Sequence, residues 1–120
     1  MKPNISDTGF GYIVLDDSKV EHDILIRLSG KVKKRKKKLS KELYGTSHMV
    51  SIAEAEHIYE DGAERLIVGS GQYGLLQLSA EAVDFFKKKK CKVEIQPTPK
   101  AIKRWNKASG PAIGLFHITC

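Results

Sequence analysis

Short runs of β-branched and other apolar residues dominate the first third of the chain. Residues 12–15 and 23–28 form two such runs, the turn-like residues 16–19 begin the connection between them, and a Ser-Gly turn leads into a third run at 31–35. Apolar runs of this length between turn residues are typical of β-strands. The pattern therefore predicts an N-terminal β-meander, with a basic run leading out of its last strand and a connecting loop at 44–48.

Helical spacing alternates with apolar runs in the rest of the chain. Ser51 and Glu54 form a capping box, Ser79 is suited to cap a second helix, and Thr98 followed by Pro99 to begin a third. The pattern predicts helices over 51–61 and 79–90 and from 98 until Gly110-Pro111, with strands at 65–68, 92–95 and 112–118. The predicted inward-facing residues are Ala82, Val83 and Phe86 on the second helix, and Ala101, Ile102, Trp105 and Ala108 on the third.

The order of these elements predicts the fold class. A β-α-β-α-β succession after a strand-rich beginning implies an α/β sheet with helices on its faces. A chain of 120 residues can bury one hydrophobic core but not a second. We therefore expect a single α/β domain over 1–120.

Composition excludes several classes of protein. A chain that is 41% hydrophobic and has two cysteines is neither disordered nor a disulfide-stapled miniprotein. Its longest uncharged stretch, residues 66–80, is interrupted by glycines and too short for a membrane span, and no apolar signal core begins the chain. We expect a cytoplasmic protein without a membrane partner.

The positive charge is concentrated in two segments. The formal net charge is +7, and the densest basic run contains Lys33, Lys34, Arg35, Lys36, Lys37 and Lys38. Such a run is a candidate polyanion patch. However, lysine predominates over arginine and no aromatic residue is interleaved, which favours a solvated strand end or loop over nucleic-acid binding. The second run, 87–90, ends a predicted helix, where cations complement the helix dipole.

Residues 69–74 fit the pattern G-x-G-x-x-G directly after a predicted strand. Glu94 lies where the ribose-binding acid of a dinucleotide fold would be expected. However, the apolar run at 75–78 is predicted to be extended, so no helix begins at Gly74 to face a pyrophosphate. A tight turn, or a loop whose amides contact an anion or small ligand, fits the residues better.

Catalytic and metal-binding patterns are incomplete. Ser70 lacks the flanking glycines of a nucleophile elbow. His117 and Cys120 fall on opposite faces of an extended strand unless the chain turns, and Cys91 is predicted to be an inert buried thiol. No paired cysteine or histidine spacing indicates zinc, so we expect no metal and no cofactor. His48, after a small-residue loop, is the histidine best suited to face a cleft.

Several segments together resemble a known family. They are residues 9–13, 44–48, 67–74 and 116–120, with Ala101 and Asn106 on the third helix. In order and spacing they are similar to the Mth-type domain family, which includes archaeal single-domain proteins, an adipogenesis-associated cytosolic protein and a mitochondrial complex I assembly factor. The resemblance implies a three-layer α/β fold with a mixed central sheet and additional β structure against one side.

The resemblance also shapes the functional expectation. It implies a non-enzymatic protein-interaction or assembly module with a protein partner, because the animal members have assembly or differentiation roles. The alternatives are a small-ligand or anion-binding protein or enzyme that uses the 69–74 loop, and polyanion binding by the basic run. The candidate ligand-binding residues are His48, Gly69, Ser70, Gly71, Tyr73, Gly74 and His117.

Overall fold

The computed structural model describes residues 2–120. Fourteen elements follow one another in the described chain. They are β1 (Ile5–Gly9), β2 (Tyr12–Leu15), β3 (Ser18–Val20), β4 (Ile24–Ile26), β5 (Val32–Lys34), α1 (Lys38–Tyr44), β6 (Met49–Val50), α2 (Ile52–Ile58), β7 (Arg65–Ser70), β8 (Gln77–Leu78), α3 (Ala80–Lys88), β9 (Lys92–Gln96), α4 (Thr98–Lys107) and β10 (Ala112–His117).

A five-stranded mixed sheet forms the centre of the fold, in the order β5-β4-β10-β7-β9. Strands β10 and β9 run parallel to β7 on either side of it, whereas β4 runs antiparallel to β10. Every residue of β10 and all but the first residue of β7 are buried. Continuous apolar runs are typical of such doubly covered strands. The predicted α/β class with a mixed central sheet is confirmed.

Two hydrophobic clusters cover the two faces of this sheet. One joins Ala55 and Ile58 of α2 to Phe86 of α3, and the other joins Trp105 of α4 to Ile13 of β2. Helices α2 and α3 therefore form one outer layer, while α4 and the small β1-β2-β3 sheet form the opposite one. Each fully buried large apolar side chain stabilises the fold by about 1.5–3 kcal/mol.

The N-terminal meander is built from other strands than the sequence predicts. It consists of β1, β2 and β3, whereas the predicted strands at 23–28 and 31–35 become β4 and β5 of the central sheet. The physical reason is burial: Ile24, Leu25 and Ile26 are at most 1% exposed. A strand that is apolar on both faces needs cover on both, and the central position beside β10 provides it.

The helix ends follow the predicted caps in part. The hydroxyls of Ser51 and Ser79 each accept a hydrogen bond from the amide three residues later, as predicted. Thr98 was predicted to cap α4, but Pro97 occupies the N-cap position, and the Thr98 hydroxyl instead donates to the carbonyl of His117 (2.6 Å). Val83 was predicted to face inward, but it is exposed on the outer side of α3.

The basic run leads out of a strand, as predicted, but this strand is an edge of the central sheet and not the last strand of the meander, and the run then enters a helix that the pattern did not predict. Lys33 and Lys34 belong to β5, which forms one edge of the sheet, and Lys38 begins α1. Lysines on an edge strand discourage edge-to-edge pairing with other chains. This gives the N-terminal part of the run a structural role.

Acid is expected to weaken the fold through Glu94 of β9. Its carboxylate accepts hydrogen bonds from Arg104 and Arg65, and these lower the pKa of Glu94 from 4.5 to about 2. Because the folded-state pKa is depressed, the stabilisation is complete above pH 4.5 and is lost as the pH falls towards 2. In urea unfolding at several pH values, wild type should exceed Glu94→Gln in stability at neutral pH. The difference should shrink across that window; a difference that does not depend on pH would contradict this prediction.

Candidate functional site around His117

His117 ends β10 at the edge of the sheet where the parallel strands have their carboxyl ends. It lies opposite Ser70, the last residue of β7. On its other side, Phe116 pairs with Ile24, so Asp23 lies next to His117 just before β4. In open α/β sheets, ligands bind in crevices outside the carboxyl ends of the strands. The topology thus places a titratable pair at this edge.

The side chain of His117 is fixed at both ring nitrogens. Its Nδ1 lies 2.7 Å from Oδ2 of Asp23, and its Nε2 lies 3.2 Å from Oγ1 of Thr119. A carboxylate can only accept, so Nδ1 carries the hydrogen. In the neutral ring, Nε2 then accepts from the Thr119 hydroxyl. Both ring nitrogens are thus engaged within the protein, Nδ1 as a donor to Asp23 and Nε2 as an acceptor from Thr119.

Asp23 belongs to a buried ionic network. Arg35 donates to Asp23 through Nη1 (3.0 Å) and to Glu54 through Nε and Nη2 (2.7 and 3.0 Å), and the Ser40 hydroxyl also donates to Glu54. Burial alone would raise the pKa of Asp23, but the hydrogen bond and charge of His117, the Ile118 amide and the Arg35 charge hold it below its usual value. The Glu54 carboxylate likewise keeps the pKa of Arg35 raised despite its burial.

A cleft of about 310 Å³ opens beside this network. Asp23, His117 and Thr119 line it, together with two cationic side chains, Lys34 and Lys37. The remaining lining residues are Gly11, Glu21, His22, Ser47 and Ile118. The structure therefore brings one candidate ligand residue, His117, and two residues of the basic run to a single concave site.

The rest of the basic run points elsewhere. Arg35 is 4% exposed and engaged with Asp23 and Glu54, so its guanidinium does not contribute to a surface patch. Lys33, Lys36 and Lys38 are exposed and do not line the cleft. Because side chains alternate along a strand, Lys33 and Lys34 of β5 lie on opposite faces.

The glycine loop, residues 69–74, packs against the segment that follows β10, residues 118–120. Its amides are used internally: Gln72 donates to the carbonyl of Thr119, and Tyr73 and Leu75 donate to that of Cys120. Gly71 donates to Thr98 (2.9 Å). Residues 75–78 are not helical and end in β8, which pairs with β6, as predicted. This loop therefore offers an incoming anion neither a helix N-terminus nor these amides.

The other predicted ligand residues do not line the cleft. The His48 ring packs edge-on against that of His117, with 5.5 Å between their centroids. Ser70 is buried, and Tyr73 is 73% exposed beside Phe10. A side chain at Gly69 would collide with Phe116 and Thr98. These residues pack the site or form its surroundings.

A model of the family described as "Protein of unknown function (DUF498/DUF598)" matches residues 5–111. The chain belongs to this family. Conserved hypothetical protein PH1505 from Pyrococcus horikoshii shares 31% identity and a TM-score of 0.91 with this chain, over 98% of this chain and 99% of that one. The solved structure called MT938 shares 30% identity and a TM-score of 0.84, over 99% and 100%. A Mth938-like domain from Bordetella pertussis has the same fold at 17% identity and a TM-score of 0.61, over 97% and 85%.

The three-layer arrangement of this DUF498/DUF598 chain is thus the Mth938-like α/β fold that the resemblance implied. Within residues 2–120, no helix is long and apolar enough to cross a bilayer. Within the same residues, no group of three or more histidine, cysteine or acidic side chains is arranged to hold a metal ion. Cys91 is buried, and burial raises the pKa of its thiol to about 11, which keeps the thiol protonated and unreactive.

Sequence reasoning missed three residues of this DUF498/DUF598 site. The sequence pattern predicts only a strand at Asp23 and a helix cap at Glu54, and it predicts no role for Thr119. One signal was present: Arg35 is the one arginine in a run of lysines, and arginine is the cation preferred for buried pairing. Its partners lie 12 and 19 residues away in sequence, so no local pattern identifies them.

Proposed function

We propose that the chain binds a small phosphate-like anion in the cleft beside His117. The observation that carries this proposal is the convergence of Lys34 and Lys37 on the cleft that His117 and Thr119 line. The ammonium groups of Lys34 and Lys37 are hydrogen-bond donors to anionic oxygens, and charge-assisted bonds of this kind are roughly twice as strong as neutral ones. A volume of about 310 Å³ suits a small ligand rather than a polymer.

The acidic residues of the cleft do not cancel this attraction. The Asp23 carboxylate already accepts hydrogen bonds from Arg35, His117 and the Ile118 amide. These donors compensate its negative charge. Glu21 is exposed at the rim, where water screens its charge. The positive charges of Lys34 and Lys37 therefore exceed the screened negative charge of Glu21. We expect a ligand with two negative charges to bind most tightly.

This proposal develops the small-ligand alternative with different contacts. The donors come from β5 and from the segment before α1, not from the glycine loop. The loop contributes by holding the segment that follows His117 in place, through its bonds to Thr119 and Cys120. The expected protein-interaction module would use a surface other than this cleft.

The test is a titration with inorganic phosphate, followed by the NMR signals of the His117 ring. Wild type is expected to bind, and Lys34→Gln to bind about tenfold more weakly, because one charge-assisted bond contributes about 1.5–3 kcal/mol at most and a surface position less. Lys33→Gln, which removes the neighbouring charge on the opposite face of β5, is the matched control and should bind within about twofold of wild type.

A Glu21 variant and titrations with two other anions test which charge and which ligand class the site recognises. Glu21→Gln should strengthen phosphate binding, because it removes the rim carboxylate. A phosphate monoester and acetate replace inorganic phosphate in parallel titrations, and tighter binding of the monoester would identify the esterified form as the ligand class. Equal weakening by Lys33→Gln and Lys34→Gln, or His117 signals that do not respond to any of the three anions, would refute the proposal.

A further inference from the structure

Within residues 2–120, no strand pairs with the outer side of β9, which therefore forms an edge of the central sheet. It pairs with β7 on one side and is the last strand on that side of the sheet. The Lys92 amide donates to the carbonyl of Glu64, towards β7. Because these groups alternate along a strand, the amides and carbonyls of Val93 and Ile95 point away from the sheet. These four groups are free to pair with an added strand.

A mostly apolar groove of about 250 Å³ runs beside this edge. Val83 of α3 and Val93 of β9 line it together with Cys91. Val83 and Ile95 are 47% and 44% exposed, so their apolar side chains are accessible to a partner. The groove can therefore take an apolar side chain of a strand that pairs with β9.

The charged side chains that line the groove are all positive. The two ionisable side chains that line the groove besides Cys91 are Lys87 and Lys92, and three more lysines follow Lys87 directly. Glu94, the one acid on β9, is held by Arg65 and Arg104. The edge is therefore complementary to a strand that carries carboxylates, and two copies of β9 would bring like charges together.

We propose that β9 is a docking edge for an extended acidic segment of another protein. The segment adds to the sheet as a strand, pairs with the backbone of Val93 and Ile95, places an apolar side chain in the groove and sets its carboxylates against Lys87 and Lys92. Backbone pairing gives such complexes their affinity, and the groove and charges give specificity. The cleft beside the opposite edge, β5, is lined by Asp23, Lys34 and Lys37 and therefore does not suit an apolar side chain.

The probe is a fluorescein-labelled peptide of alternating glutamate and valine, long enough to span β9. Its binding is measured by fluorescence anisotropy and by hydrogen exchange of the β9 amides. We expect slower exchange at Val93 and Ile95 on binding, and about tenfold weaker binding to Ile95→Pro. This substitution removes an outward amide but none that bonds β7, so an edge strand tolerates it. Ile95→Thr keeps the amide and is the matched control, expected to bind within about threefold of wild type.

Charge reversal provides a test that does not alter the backbone. The double variant Lys87→Glu with Lys92→Glu should no longer bind the glutamate-valine peptide and should bind the corresponding lysine-valine peptide. Wild type should bind the glutamate-valine peptide more tightly than the lysine-valine peptide. The inference would be overturned by unchanged exchange at Val93 and Ile95 with saturating peptide, or by equal binding of the acidic and basic peptides. Concentration-dependent dimers that Ile95→Pro abolishes would also overturn it, because they would assign the edge to a second copy of this chain.

Discussion

Replacing Arg35 with methionine is expected to lower the free energy of unfolding by about 3–5 kcal/mol. Methionine can occupy much of the volume of the arginine stem but leaves the carboxylates of Asp23 and Glu54 without their shared cation. The Glu54 side chain is 1% exposed, so water cannot replace the lost partner, and an uncompensated buried charge is among the costliest defects in a fold. Urea unfolding followed by circular dichroism measures the change.

Three further variants serve as controls for the Arg35→Met prediction. Lys36→Met removes one exposed charge and should change stability by no more than about 0.5 kcal/mol. Arg35→Lys keeps the charge but loses the two-pronged contact with Glu54, and its cost should fall between the other two. Adding Glu54→Gln to Arg35→Met should recover part of the loss, because the second orphaned charge is then gone. An Arg35→Met protein as stable as Lys36→Met would show that the network does not hold the fold.

Several helices and strands of this fold can be predicted from the sequence because residues close to one another in the chain determine them. The hydroxyls of Ser51 and Ser79 cap the helices that follow them, and the buried strands β7 and β10 lie close to the predicted 65–68 and 112–118. The short strands β1 and β3 were missed because they contain mostly polar residues. Their pairing comes from tertiary contact rather than from propensity.

Helix α1 was missed for a related reason. No side chain caps it and its first turn carries no acid, so the usual signals of a helix start are absent. Its place is fixed instead by Ser40, which is buried and bonded to Ser51 and Glu54. A hydroxyl that bonds residues 11 and 14 positions away leaves no trace in the local pattern.

The candidate site was predictable in its parts but not in its assembly. His117 and the basic run were singled out separately, and the fold joins them because β4 brings Asp23 to His117 while β5, paired with β4, brings Lys34 to the same cleft. Residue types predicted the donors; the antiparallel pairing of β4 with both neighbours determined which donors meet. Alternation along β5 then separated Lys34 from Lys33, a distinction that a run of identical residues hides.

Replacing Gly71 with alanine is expected to destabilise the fold by about 2–5 kcal/mol, and it tests the glycine loop as a wall of the site. Gly71 has a φ of +99°, which costs an L-residue about 1–2 kcal/mol. A Cβ there would also lie 2.2 Å from the backbone carbon of Cys120 and 2.9 Å from Cδ2 of His117. The backbone cannot yield as a flexible side chain would, so overpacking adds about 1–3 kcal/mol.

The control separates the two contributions. Gly62 has nearly the same φ, +96°, but apart from its chain neighbours no atom of the described residues 2–120 lies within 4 Å of a Cβ at this position. Gly62→Ala should therefore carry only the conformational cost of about 1–2 kcal/mol, and the difference between the two variants measures the collision. Gly71→Ala should in addition shift the NMR signals of the His117 ring and weaken phosphate binding, whereas Gly62→Ala should leave both unchanged. Equal losses of stability in the two variants would mean that the segment after β10 moves aside freely, and the loop would then not be what holds Thr119 against His117.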